Sequence, residues 1–354
     1  MAADDSTATT PERLTAVDFN HTGNLASLLQ QLSVSILVST YQAGKVLAIG
    51  QHQGNLQIRF HHFEQAMGMA RTPTGIAIGS KRQIWFLSAA RDMARRVQPE
   101  GTYDCAFLAR HAHFTGSIMG HDLAWAGNEL WVANTGFSCL AVIQPEFSFV
   151  PRWKPSFISG LGAEDRCHLN GLAADDSGPR YVTALSETDT AAGWRPTKAT
   201  SGCLIDVKTG EIVLHGLCMP HSPRLYQGQL YLVDSGRGQL SRVDASARRL
   251  ETVTQLPGYT RGMDCFGGHA FVGLSRIRET SVFGGLPIAE QKADLCCGVA
   301  VVNLATGQNV ASLRFHSGVE EIFDVKVLPG FLNPILSGPY PDVDQTETLW
   351  LVPG

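Results

Sequence analysis

Histidine is the residue type whose distribution most directly implies chemistry in this chain. Twelve of the 354 residues are histidine, at positions 21, 52, 61, 62, 111, 113, 121, 168, 215, 221, 269 and 316. Imidazole nitrogen ligates zinc, iron, copper or manganese and exchanges protons near neutral pH, so histidines gathered in one place can hold a metal or move protons. Nine of the twelve fall in six short segments, residues 60–67, 110–121, 162–170, 215–221, 257–261 and 315–321, which also carry Glu64, Glu164, Asp165, Glu320 and Glu321. Such scattered segments do chemistry together only if the fold delivers them to one point.

A repeat supplies that delivery. The run from Pro220 through Tyr226, a Gln227-Gly228 turn and Gln229 to Asp234 is a hairpin signal, and the same form recurs at 67–70 with 83–87, 121–125 with 130–132, 170–173 with 180–183, 261–264 with 270–273, and 321–325 with 348–352. Six strand-paired units spaced by roughly 40–60 residues predict a six-bladed β-propeller. Outer hairpins follow the inner ones, two with a Thr-Gly turn at Thr209-Gly210 and Thr306-Gly307, which makes four strands per blade. Strands at 36–41, 46–49 and 56–60 have no inner hairpin before them, and the C-terminal unit has no outer one, so the N-terminal strands are expected to close the last blade and remove the open edges. The division predicted is a disordered tail and short helix over 1–32, the helix carried by Leu25, Leu28, Leu29 and Leu32, followed by a single propeller domain over 33–354.

In a propeller the segment leading into each innermost strand crosses to the central axis, and those are the histidine-bearing segments. His121, His221 and Glu321 occupy the same repeat position and are the predicted inner ligands of a divalent transition metal (Fe, Zn or Mn), a two-histidine, one-carboxylate set like that of non-haem iron sites. His168, two residues before the in-register Asn170, is the fourth ligand or a general base. Arg224 and Arg261, with Arg276 and Arg278 nearby, offer guanidinium forks to an anionic ligand, or to Glu320, Asp264 and Glu279 as structural ion pairs. Long insertions at 186–202 and 275–298 emerge on the same face and read as a cover over the site, or as an interface.

Composition removes other classes. A net charge of −4 gives no basic field for nucleic acid or anionic lipid, and the acidic start and lack of a long apolar run predict a cytoplasmic protein without a membrane span. The eight cysteines form no C-x-x-C pair and are expected as small buried hydrophobes, Cys167 being notable only for its place beside His168. The phosphate-binding loop, the nucleophile elbow and the zincin helix motif are all missing from the sequence.

Four stretches, Glu164-Asp165-Arg166-Cys167-His168-Leu169-Asn170-Gly171, Met219-Pro220-His221-Ser222-Pro223-Arg224, Gly258-Tyr259-Thr260-Arg261-Gly262 and Arg278-Glu279-Thr280, resemble an uncharacterised bacterial family of conserved hypothetical β-propeller proteins, over nearly the whole chain from Ser33. The resemblance implies a fold and no reaction. More distantly, six blades around a polar channel are similar to the gluconolactonase, paraoxonase and strictosidine synthase group, whose calcium-dependent members use carboxylate and amide oxygens. Here histidines stand at the mouth, with only Asn170 and Glu321 in register as oxygen donors, a departure that argues against calcium. The expected function is a metal-dependent enzyme acting on a small anionic molecule at the mouth of the channel, with hydrolytic, lyase and oxygenase chemistry all open. The alternative is a propeller that binds a ligand or protein without catalysis.

Overall fold

In the computed structural model, residues 17–277 and 284–352 are described. They form an all-β, six-bladed propeller built from six antiparallel sheets. Blade 2 shows the plan: Gly120–Ala126 innermost, then Glu129–Asn134, Cys139–Gln144 and, at the rim, Phe147–Trp153. Both faces of a blade are covered by its neighbours, so strands are apolar on successive residues rather than on alternate ones. Val34–Thr40 is buried at all seven positions.

Blade 6 is closed across the two ends of the chain. Asp324–Pro329 is its innermost strand and pairs antiparallel with Val34–Thr40, from Val34 opposite Pro329 to Ser39 opposite Asp324. Lys45–His52 and Asn55–His62 complete it. The closure by N-terminal strands is as the sequence predicts, but the division differs: three strands come from the N-terminal side and one from the C-terminal side. Residues 348–352, expected as a second inner strand, form none, and Trp350, Leu351 and Val352 are exposed. Their β propensity matches that of 34–40, and propensity does not choose between two claimants for one seat. In blade 1 the expected inner partner at 83–87 is the third strand, because a two-residue turn at Pro73-Thr74 returns Met69–Thr72 directly into Gly75–Gly79.

Two blades gain a fifth strand. Pro334–Ser337 pairs in parallel with Cys105–Phe114, and Phe19–His21 adds to Asn309–Phe315. Both occupy rim edges that would otherwise be open to another chain. The helix Leu25–Leu32 buries Leu25 and Leu29, one turn apart, against the core between blades 5 and 6, each worth about 1.5–3 kcal/mol. Residues 1–16, where the predicted tail begins, lie outside the described residues. Among the described residues no helix is long and apolar enough to cross a membrane.

The seams between blades are stapled near the axis. Asp122 Oδ2 accepts the Leu172 N–H at 3.0 Å, Asp264 Oδ2 that of Val327 at 2.9 Å, and Asp324 Oδ2 that of Met69 at 2.9 Å. Ser222 Oγ does the same for Gly262 at 3.1 Å. Gly262 has a φ of 73°, and a Cβ there would lie 2.5 Å from the Asp324 backbone, so only glycine lets these inner strands approach. The eight cysteines are all free and buried. Cys167 is fully inside, and burial pushes its thiol up to about 12, which makes it a packing residue.

Candidate functional site at the upper mouth

Three of the nine histidines reach the axis: His121, His168 and His221. The His121 and His168 rings stand 4.7 Å apart, and His221 holds the place of His121 on an innermost strand two blades on. The other six lie on the fourth strands of their blades or just beyond, as His61 and His62 on Asn55–His62, His111 and His113 on Cys105–Phe114, and His316 after Asn309–Phe315. His215, on Ile212–Leu217, faces Glu187 at the rim. The outer strands run further toward this face than the turn residues imply, and they absorb positions that the sequence assigns to the crossings.

His121 and His221 are held by the same device in two blades. The His121 Nδ1 lies 3.1 Å from the Met119 carbonyl and 2.8 Å from Thr135 Oγ1; the His221 Nδ1 lies 2.8 Å from the Met219 carbonyl and 3.0 Å from Ser235 Oγ. A carbonyl only accepts, so Nδ1 carries the proton in both rings and Nε2 keeps its lone pair. Thr135 Oγ1 donates onward to the Leu169 carbonyl, which leaves it accepting from His121. Burial, then the charges of His168 and Arg261, holds the His121 pKa well below the usual imidazole value; burial and then Arg261 do the same to His221. Both rings are therefore neutral.

His168 is held differently. Its Nδ1 sits 2.9 and 3.0 Å from the two oxygens of Asp165, so Nδ1 again bears the proton and Nε2 is the basic nitrogen. Trp194, from the 186–202 insertion, lies over the ring at 4.4 Å between centroids and donates its indole N–H to Asp165 Oδ2 at 3.0 Å. Trp194 is 2% exposed and packs with Met219, Tyr259, Leu286 and Ile288, so the two insertions share one apolar cluster over this face. The insertions lie on the His168 side, where the sequence reading placed either a cover or an interface. Arg278 and the rest of 278–283 lie outside the described residues.

Phe323 forms the opposite wall, 5.2 Å from His121, with the Arg261 guanidinium 3.5 Å above its ring centroid. Arg261 Nη1 also donates to Glu321 Oε1 at 3.1 Å. Arg224 is not in this group. Three residues beyond His221 on the same strand, it bonds across the axis to Asp122 at 2.7 Å and to the Leu172 and Met263 carbonyls, and it lines a cavity of about 200 Å³ at the opposite mouth. A side chain with every donor turned toward protein acceptors positions blades; of the two arginines expected at a ligand, Arg261 is the one placed beside Phe323 at the upper mouth.

The donor chemistry for a metal is half present. Histidines that ligate metals characteristically donate the other ring N–H to a carbonyl or carboxylate, as all three do here. The set does not close, however: Glu321 faces Arg261, and among the described residues no three His, Cys, Asp or Glu side chains stand where one ion would need them. The residues as placed fit hydrogen bonding and proton transfer better than ligation.

Sequence reasoning missed Thr135 and Ser235. A signal existed, since Met119-Gly120-His121 and Met219-Pro220-His221 are each followed by a hydroxyl residue fourteen positions after the histidine. It also missed the strain. Met119, Asp165, His168, Met219 and Ser222 all adopt φ between 47° and 52°, a left-handed conformation that costs a non-glycine residue about 1–2 kcal/mol. Five such residues on or just beside three crossings mark where the backbone is bent to aim side chains.

The chain belongs to the family described as domain of unknown function DUF4915, whose model matches residues 23–336. No curated protein matches it. Among solved structures it is similar to a chain of the nidogen/laminin complex, at 10% identity and a TM-score of 0.52, covering 84% of this chain and 99% of that one. A protein of unknown function from Bacteroides caccae gives 10% identity and a TM-score of 0.51, covering 83% and 98%. A catalytically inactive virginiamycin B lyase from Staphylococcus aureus, solved with quinupristin, gives 11% identity and a TM-score of 0.39, covering 77% and 74%. These likenesses concern the fold.

Proposed function

We propose that the upper mouth is an enzymatic site for a small anionic molecule that also carries hydroxyl or amine donors, and that its chemistry is proton transfer by His168. The observation that supports this most is the pinned set of tautomers. His121 and His221 present lone pairs at Nε2, so they accept hydrogen bonds from a ligand O–H or N–H, while Arg261 supplies the positive charge for an anionic group. Asp165 orients His168 and stabilises its protonated form, so His168 Nε2 is the group suited to take a proton from the bound molecule. Trp194 excludes water from above, which strengthens each of these interactions.

A second reading is favoured by the same tautomers: His121 and His221, with His168 or a released Glu321, as ligands of iron, zinc or manganese. A metal bound there would supply Lewis-acid or oxygen-binding chemistry.

The test is a thermal-shift panel of hydroxycarboxylates, amino acids and sugar acids on protein purified without a histidine tag, alongside elemental analysis. The expected result is a stabilising ligand whose effect is lost in His121→Ala and His221→Ala, with His168→Ala retaining binding and losing turnover. Stoichiometric metal, released on mutating either histidine, would favour the second reading. Binding that survives all three substitutions would sink both and leave a non-catalytic binding propeller.

A further inference from the structure

A second feature stands apart from the axis, at the rim where blade 6 meets blade 1. The His61 and Asp344 side chains are 2% and 1% exposed, and His61 Nδ1 lies 3.8 Å from Asp344 Oδ2, beyond hydrogen-bonding distance. The Leu336 N–H donates to His61 Nε2 at 3.4 Å, so His61 carries its proton on Nδ1, facing the carboxylate. Asp344 Oδ1 is taken by the His62 N–H at 2.7 Å. His61 Nδ1, Asp344 Oδ2 and Thr346 Oγ1 are each buried without a hydrogen-bond partner. An unpaired buried polar atom costs about 1–3 kcal/mol, and three whose residues border one cavity call for an occupant.

That cavity has a volume of about 390 Å³. One oxygen with ordinary bonds of about 2.8 Å would span the 3.8 Å gap, accepting from His61 and donating to Asp344, once a small side-chain shift uncovers the two buried atoms. A water could do this, but the space is about ten times a water's share of roughly 30 Å³. The remaining wall has an apolar part, formed by Phe60, Val97, Tyr103, Ile335 and Leu349, and a polar part with Arg59, Gln98, Ser337, Gln345 and Glu347. The occupant therefore combines a hydroxyl end with an apolar body. We propose that this rim groove is a second small-molecule site, independent of the upper mouth, for an apolar molecule ending in a hydroxyl.

The probes are 4-ethylphenol and ethylbenzene, titrated into the full chain by ligand-observed NMR, with Leu349→Trp to fill the groove and His121→Ala as a control at the axis. The expected result is binding of 4-ethylphenol at least tenfold tighter than ethylbenzene, weakened at least tenfold by Leu349→Trp and untouched by His121→Ala. Equal affinity for the two probes, no binding, or binding indifferent to Leu349→Trp would overturn the proposal. Should Leu349→Trp fail to fold, a wild-type crystal soaked in 4-ethylphenol decides: the phenol oxygen between His61 and Asp344 supports the site, and ordered water alone there overturns it.

Discussion

The two ends of the channel are built from the same inner strands and solve the burial of polar groups in opposite ways. At the lower mouth the groups are charged and mutually committed. Arg224 bridges Asp122 and Asp324 at 2.7 and 3.6 Å, and Lys326 contacts the same two carboxylates at 3.6 and 3.2 Å. At the upper mouth His121 and His221 are neutral, with one nitrogen of each spent on the protein, and among the described residues no hydrogen bond uses the other. A polar cluster that satisfies itself holds blades together, whereas the lone pairs left over on strained backbone are what the proposed function draws on.

The largest effect that would test this contrast is expected at the lower end. Arg224→Ala leaves the buried Asp122 and Asp324 to share Lys326 and should cost about 3–5 kcal/mol, read from urea unfolding. A smaller loss would mean that the network is replaceable packing. Trp194→Ala should cost about 3 kcal/mol and open the upper face, seen as faster exchange of the His168 ring protons with solvent. Unchanged exchange would show that Trp194 is not the cover.

The two ends should also answer acid with opposite signs. The folded pKa values of His121 and His221 lie below the unfolded imidazole value near 6.5, so the unfolded chain takes protons first and stability falls as pH drops below about 6.5. Asp324 is raised to about 6, burial being the main cause, so the folded chain takes its proton first and this contribution grows as pH falls from about 6 toward 4. Urea midpoints between pH 7 and 5 should therefore fall less steeply in a His121→Gln, His221→Gln double variant and more steeply in Asp324→Asn. Parallel curves for all three proteins would break the comparison. The smallest effect is Ser235→Ala, which removes one of two acceptors from His221 and should cost about 1 kcal/mol.

The blade count, the closure and the crossing positions of His121, His168 and His221 were legible in the sequence because repeats expose register: residues at equal offsets from equal hairpins must reach equal places. Arg224 was misread for the same reason. Register places a residue along the strand but not relative to the two mouths, and three residues carry it from the upper end to the lower. Trp194 could be assigned by length alone to a long insertion read as a cover or an interface, while its indole bond to Asp165 depends on a fold-back between Thr190 and Gly193 with no repeat to compare it with. The hydroxyl partners Thr135 and Ser235 were visible as a spacing and carry meaning only once Met119 and Met219 are seen turning their carbonyls inward. The strand assigned to 348–352 failed because one chain offered two segments of similar propensity for the same seat.

The most direct measurement is nitrogen-15 NMR of histidine-labelled protein across pH 7.5 to 5.5, with His121 and His221 assigned by substitution. Both rings should show a protonated Nδ1 and a bare Nε2 throughout, with no titration in that range. Protonated Nε2, or either ring titrating near 6.5, would contradict the reading of the upper mouth as a preset pair of acceptors.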